Sequence, residues 1–416
     1  MSTFKPFYGY HPESKNAAEV ICLPYDVINS EEARELAKGK PNSYLYVDKS
    51  EIELEPGVDL HDQRVYDAAA KNMTRLIKDK ILIKDAKQCF YIYKQIMDGR
   101  VQYGLVGCAS AEEYWNDIIK KHELTRKDKE DDRTKHVDVC NANTGMVFLT
   151  YRAKDEINKL VEKTVSSSAP VFDVTTEDKV THTLYRIDDD ATIAKISEEF
   201  KKIGVLYIAD GHHRSASGAR IAQIRKEKNP KHTGNEEYNF FMAAAFPHDQ
   251  LYIMDYNRLV KDLNGHSEDE FLKLLKEKFD VKDMGDKTCK PSKMHTFGMY
   301  MGGRWYELGA KSSIFDPKDV IDCLDVTILQ KNVLDPLLGI KDPRTDKRID
   351  FVGGIRGMSE LKKSVDSGKF KVAFAMFPTT IEQLMDIADA GKIMPPKSTW
   401  FEPKLRSGVL VHKLDQ

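Results

Sequence analysis

The sequence predicts a mixed α/β protein, and three observations carry the prediction. Strand-like and helix-like segments alternate along 416 residues, short apolar runs are interleaved with capped amphipathic runs, and turn dipeptides close several hairpins. A chain of this length makes two or three domains. Hydrophobic content of 41% is enough for sizeable cores, which excludes disorder.

Each element has a local reason. The stretch SEEARELAKG (30–39) is a helix with Ser30 as its N-cap and Gly39 at its end. CFYIYKQIMDGRVQYGLVGCAS is a hairpin turning at Asp98 and Gly99. VFLTYR, DEINKLVEKTV and THTLYRI follow as strand, helix and strand. VLYIAD is a buried strand that delivers a GHHR loop, and SASGARIAQIRKEK is the next helix. SEDEFLKLLKEKF opens with a capping box of Ser267 and Glu270. FGMYMGGRWYEL is a hairpin around Gly302 and Gly303, and KFKVAFAMFPTTIEQLMDIADAGKI reads as strand, loop and helix. The polar run at 283–293 serves as a linker, dividing an N-terminal α/β part (1–285) from a C-terminal α/β part (290–416).

Charge narrows the function. Lys and Arg total 64 against 66 acidic residues, for a formal net charge of −2. No overall basic field points to nucleic acid or to a membrane surface. The N-terminal stretch lacks the apolar region of a signal peptide. The longest apolar run, FFMAAAF, is far too short to span a bilayer. Six scattered cysteines without a C-x-x-C pair read as reduced thiols, and a cytoplasmic location is expected.

Three constellations are candidates for chemistry. The first is VLYIADGHHRSASGAR (205–220), a strand, a tight turn at Gly211 and a helix. That order sets backbone N–H groups and a positive helix end at the strand's carboxyl edge, where anions bind. Arg214 forks onto phosphate oxygens, His212 and His213 donate or carry protons, and Asp210 is the one acceptor. The same residues also describe an Asp-capped helix with surface histidines. The second is HELTRKDKEDDRTKH. If helical, it puts His122, Arg126, Lys129, Arg133 and His136 on one stripe, with Glu123, Glu130 and Asp131 off it as candidate magnesium ligands. One-sign stripes repel, so this one faces an anion, or else the neighbouring acids quench it. The third is MPPKSTWFEPKL, a donor-rich loop with Lys397, Ser398 and Thr399, followed by Lys404. The P-loop, dinucleotide, zincin and nucleophile-elbow motifs are all missing.

The run IADGHHRSA resembles the DGHHR signature of archaeal free L-serine kinases in the ParB/sulfiredoxin-like superfamily. FAMFPTTIEQLMDIADAGKIMPPKST is similar to the C-terminal segment of those kinases. Nearly the whole chain, including LPYDVIN, NANTGMVFLTYR and STWFEPKLRSG, resembles the domain-of-unknown-function family numbered 1015. The kinase resemblance implies a ParB/sulfiredoxin-like core with a mixed sheet and an added C-terminal α/β part. It implies phosphorylation of free L-serine to O-phosphoserine with ATP or ADP and Mg²⁺, in serine and cysteine metabolism. The kinases' catalytic acid lies in an early Pro-x-Glu segment, whose nearest counterpart here is Pro24-Tyr25-Asp26, with the shorter carboxylate at Asp26.

On that footing the expected catalytic groups are Asp26, Asp210 and His212. Phosphate would be held by Gly211, His213 and Arg214 with His122, Arg126, Lys129, Arg133 and His136. Lys397, Ser398 and Thr399 would bind substrate, and Asp210 with Glu130 would hold the metal. Two other readings stay open: a phosphoserine phosphatase, and a nucleotide-binding, DNA-associated regulator of the ParB kind, which the balanced charge disfavours.

Overall fold

The run Phe240–Pro247 presents no charged side chain to either side of its pleat, so as a strand it needs cover on both faces. In the computed structural model, which describes residues 1–415, it lies inside a nine-stranded sheet, buried from Phe241 onward. The strands are β1 (Phe4–Lys5), β2 (Phe90–Met97), β3 (Arg100–Ser110), β4 (Ile119–Lys120), β5 (Val147–Tyr151), β6 (Phe172–Thr175), β7 (Thr181–Ile187), β8 (Leu206–Asp210) and β9 (Phe240–Pro247). Their order is β4-β8-β5-β9-β3-β2-β7-β6, with β1 alongside β3. β8 runs parallel to β4 and β9 parallel to β5, and the other neighbours are antiparallel. The mixed sheet bears out the α/β class, and β2 and β3 turn at Asp98 and Gly99 as expected.

Two helices pack against each other beside this sheet: α1 (Lys127–Cys140) and α2 (His212–Lys228). α2 approaches β9 closely at Gly218, where an added Cβ would stand 2.8 Å from Phe241 Cβ. Elsewhere in the same core, Phe4 stacks on Phe200 with ring centroids 4.4 Å apart.

The chain forms two units, Met1–Leu251 with the tail from Pro403, and Tyr252–Glu402. The tail strand Val411–Lys413 pairs with Gly9–Pro12 on one side and Ala142–Asn143 on the other. The second unit holds a six-stranded antiparallel sheet in the order Phe279–Gly285, Arg304–Ala310, Thr296–Met301, Val372–Ala375, Tyr256–Val260, Ile349–Gly353. Among the described residues no helix is long and apolar enough to cross a membrane.

Several local expectations are corrected. The division between units falls after Leu251, not at 285–290, and the tail returns to the first unit. The polar run at 283–293 begins inside the strand Phe279–Gly285 and connects strands of one sheet, with Cys289 buried in its core. Asn29, not Ser30, caps the helix Ser30–Ala37: its side chain accepts from Glu32 N while Glu32 accepts from Asn29 N, both at 2.9 Å. α2 begins at His212, three residues earlier than read, so the two histidines are helical rather than loop residues. α1 begins at Lys127, which leaves His122 outside the helix and Arg126 at its N-cap.

Candidate active site

β8 loses register against β5 between Ile208 and Asp210, a bulge at the end of the strand. Gly211 then turns the chain with φ +87°, a conformation costly for any residue bearing a Cβ. α2 follows at once, and no side chain caps its N-terminus. Its first-turn N–H groups and the positive end of its dipole therefore converge on Asp210, Gly211 and Arg214.

Asp210 is held from two sides. Oδ1 accepts from Gly211 N at 2.8 Å, and Oδ2 pairs with Lys404 Nζ at 2.9 Å. Burial opposes its charge, but the Lys404 ammonium and Arg214 guanidinium outweigh that and hold the carboxyl well below its usual range. Arg214 donates from Nη1 to Met146 O at 2.7 Å and from Nη2 to Asp26 Oδ2 at 3.3 Å. Its Nε is buried without a hydrogen-bond partner.

Tyr25, Arg133, His136, Thr144, Arg214 and Ser407 line one cleft. Arg133 and Arg214 lie 4.3 and 6.0 Å from the Tyr25 ring centroid, within cation–π range. Burial pushes the Tyr25 hydroxyl up, so it stays a neutral donor. Arg133 pairs with Asp132 at 2.8 Å. Asp48 accepts from Thr144 Oγ1 at 3.3 Å and from Ser407 Oγ. His136 Nε2 sits 2.9 Å from Val47 O, which can only accept, so Nε2 carries the proton. Burial, with the Arg133 charge second, brings His136 down to about 4.

The expected basic stripe is thus divided. Arg133 and His136 reach the cleft with Arg214. Arg126 instead pairs with Asp128 at 2.8 Å, and its backbone N–H donates to His213 Nε2 at 3.1 Å. Lys129 is half-exposed on α1 and outside the cleft lining. The acids beside the stripe quench part of it, as like-charge repulsion at helical spacing favours.

His212 is turned away from that cleft. Its ring meets His122 edge-to-face, centroids 4.4 Å apart, and its Nδ1 lies 3.9 Å from Glu123 Oε2. Burial brings His122 down to about 4, with the Ile208 backbone and the Asp210 charge pulling weakly the other way. His212 is lowered too, first by burial and then by His122. His213 is also lowered, chiefly by burial.

The Asp210 and Glu130 carboxylates are a poor fit for magnesium. Asp210 is engaged by Lys404, and Glu130 accepts from Thr125 Oγ1 at 2.8 Å and lies 3.5 Å from Arg220 Nη1. Lys397, Ser398 and Thr399 belong to the second unit. There Lys397 O accepts from Arg258 Nη2 at 3.0 Å, and Ser398 Oγ closes the loop on Pro395 O at 2.6 Å. Tyr25, Asp48, Thr144, Lys404 and Ser407 were not singled out from the sequence as site residues. Tyr25, Thr144, Lys404 and Ser407 lie within runs that carry the family resemblance, whereas Asp48 falls outside them and carries no signal in the sequence.

Among curated proteins none matches the sequence. Solved structures align over much of the chain at low identity. A free serine kinase mutant in complex with AMP covers 76% of this chain and 88% of its own, at 12% identity and a TM-score of 0.37. A second mutant complex, with ADP, covers 68% and 84% at 13% identity and 0.35. SbnI with a C-terminal truncation, from Staphylococcus aureus, covers 72% and 85% at 10% identity and 0.37. A family profile described as a protein of unknown function, DUF1015, matches residues 4–327, and the chain belongs to that family.

Proposed function

We propose that this protein is a nucleotide-dependent kinase that phosphorylates the hydroxyl of free L-serine. One observation carries the reading. Arg214 stands part-buried at an uncapped helix N-terminus, with its Nε atom buried and lacking an acceptor, and an unsatisfied buried donor in such a place calls for one. A phosphate oxygen supplies it, and Arg133 and the first-turn N–H groups of α2 add further neutralisation. The DGHHR resemblance points to the same loop.

Asp26 is the base in this reading. It stands beside Arg214 with its side chain 37% exposed, so a small hydroxylated substrate can reach it. The serine oxygen attacks the terminal phosphorus, its proton passes to Asp26, and the bond to the bridging oxygen breaks to release the shortened nucleotide. Such transfer depends on positioning and charge stabilisation more than on covalent chemistry. Asp210, Lys404 and Met146 O hold Arg214 and the loop in place.

The test is a panel of hydroxy amino acids with ATP or ADP and Mg²⁺, read by mass spectrometry of the phosphorylated product. O-phosphoserine is expected. Arg214→Ala is expected to keep its circular dichroism spectrum yet lose on the order of a hundredfold in rate. Near-parent rates in that variant would dismiss the site. Phosphate release from O-phosphoserine without nucleotide would assign a hydrolase instead.

A further inference from the structure

His122 and His212, expected from the sequence among the phosphate-holding and catalytic groups, face each other away from the Arg214 cleft and have no part in the transfer step proposed above. His122 and His212 are 2% and 6% exposed, and both nitrogens of His122 and Nε2 of His212 lack a hydrogen-bond partner of ordinary geometry. Buried imidazoles usually satisfy their nitrogens. Glu123, half-exposed, brings a carboxylate to the same point, and one ligand atom from each of the three residues lies within 4.8 Å of the others.

We propose that His122, Glu123 and His212 form a binding site for a borderline divalent transition metal, with Zn²⁺ as its type case. Two imidazoles and one carboxylate are a donor set that suits zinc and its neighbours rather than magnesium, which takes oxygen ligands and keeps its waters. Ligand atoms about 2.1 Å from a tetrahedral ion lie roughly 3.4 Å apart. His212 Nδ1 and Glu123 Oε2 are already 3.9 Å apart, so modest side-chain rotation closes the set. Only Glu123 faces solvent, which gives the ion an entry path and leaves its fourth position open to water, the arrangement of zinc sites with three protein ligands. His122 follows the short strand β4, which pairs with β8, while His212 opens α2. The ion would tie the two segments together beside Asp210.

The experiment uses the full chain, stripped with a chelator and assayed without nucleotide. Equilibrium dialysis against Zn²⁺ is expected to give one bound ion per chain, undisturbed by millimolar Mg²⁺, and Co²⁺ is expected to give visible d–d absorption of a four-coordinate site. Glu123→Gln, on a half-exposed side chain, is expected to weaken binding at least tenfold, and His122→Asn more. Should His122→Asn fail to fold, Glu123→Gln decides alone. No stoichiometric Zn²⁺ in the parent protein, or parent-like affinity in Glu123→Gln, overturns the proposal. Because no turnover is measured, loss of the kinase reading leaves this result standing, and the reverse also holds.

Discussion

At the scale of single residues, the contact between Asp210 and Lys404 ties the end of β8 to the tail of the chain. Both side chains are part-buried, at 31% and 14% exposure, and hydrogen bonds to charged groups contribute about 1.5–3 kcal/mol. Lys404→Met should therefore cost about 2 kcal/mol at pH 7, measured by urea unfolding. The pH dependence has a definite sign. Asp210's folded carboxyl titrates below its ordinary value near 3.8, so its stabilisation is complete above that value and is lost as pH falls further. The gap between parent and variant should persist from pH 7 to 5 and shrink below pH 4. A gap that is constant down to pH 3 contradicts the pairing. Arg214 is the complementary case, where the proposed function rests on a missing partner, at Nε, rather than on a present one.

At the scale of elements, α2 is positioned by the absence of a side chain. Gly218→Ala gains helix propensity of about 1 kcal/mol, but the new methyl would press on Phe241 Cβ from 2.8 Å. Overpacking costs typically about 1–3 kcal/mol, so a net loss of stability is expected, seen as a lower melting temperature. A raised melting temperature would show that α2 slides freely over β9. Elements with local causes were legible in the sequence. The hairpin at Asp98 and Gly99 and the capping box of Ser267 and Glu270 need only near neighbours, and both are present. The stripe from His122 to His136 was half legible. Arg133 and His136 follow helical spacing, but β4 pairs with β8 and draws His122 into the core before the helix begins. The start of α2 was missed because Gly211 itself makes the turn, so no loop is needed between strand and helix. The Lys404 contact has no local signature at all, since its partner is 194 residues away.

At the scale of the whole molecule, the first unit is built around neutral histidines. His182 takes a hydrogen bond from Arg406 Nε at 3.2 Å on Nε2, and its Nδ1 lies 2.7 Å from the Tyr93 hydroxyl. Burial and then the Arg406 charge bring it down to about 3. His136 lies at about 4, and burial lowers His412 as well. In the unfolded chain these groups protonate near 6.5. The unfolded state thus binds more protons below that pH, and each histidine removes up to about 1.4 kcal/mol of stability per pH unit. The urea midpoint of the first unit should fall between pH 7 and pH 5, and His182→Gln should flatten the decline. An unchanged midpoint across that range would mean the histidines are already charged in the fold.

The return of the tail to the first unit has a consequence for synthesis. Asp210 leaves the ribosome with its carboxylate unpaired, and Lys404 is translated only after the entire second unit. At about 5–20 residues per second the delay is roughly 10–40 s. Throughout that interval the chain already holds Met146 and Asp26, the partners of Arg214, but not the ammonium that pairs with Asp210. The strand Val411–Lys413, which lies between Gly9–Pro12 and Ala142–Asn143, follows Lys404 off the ribosome, so the Asp210 pair closes only after the whole of the second unit has been made.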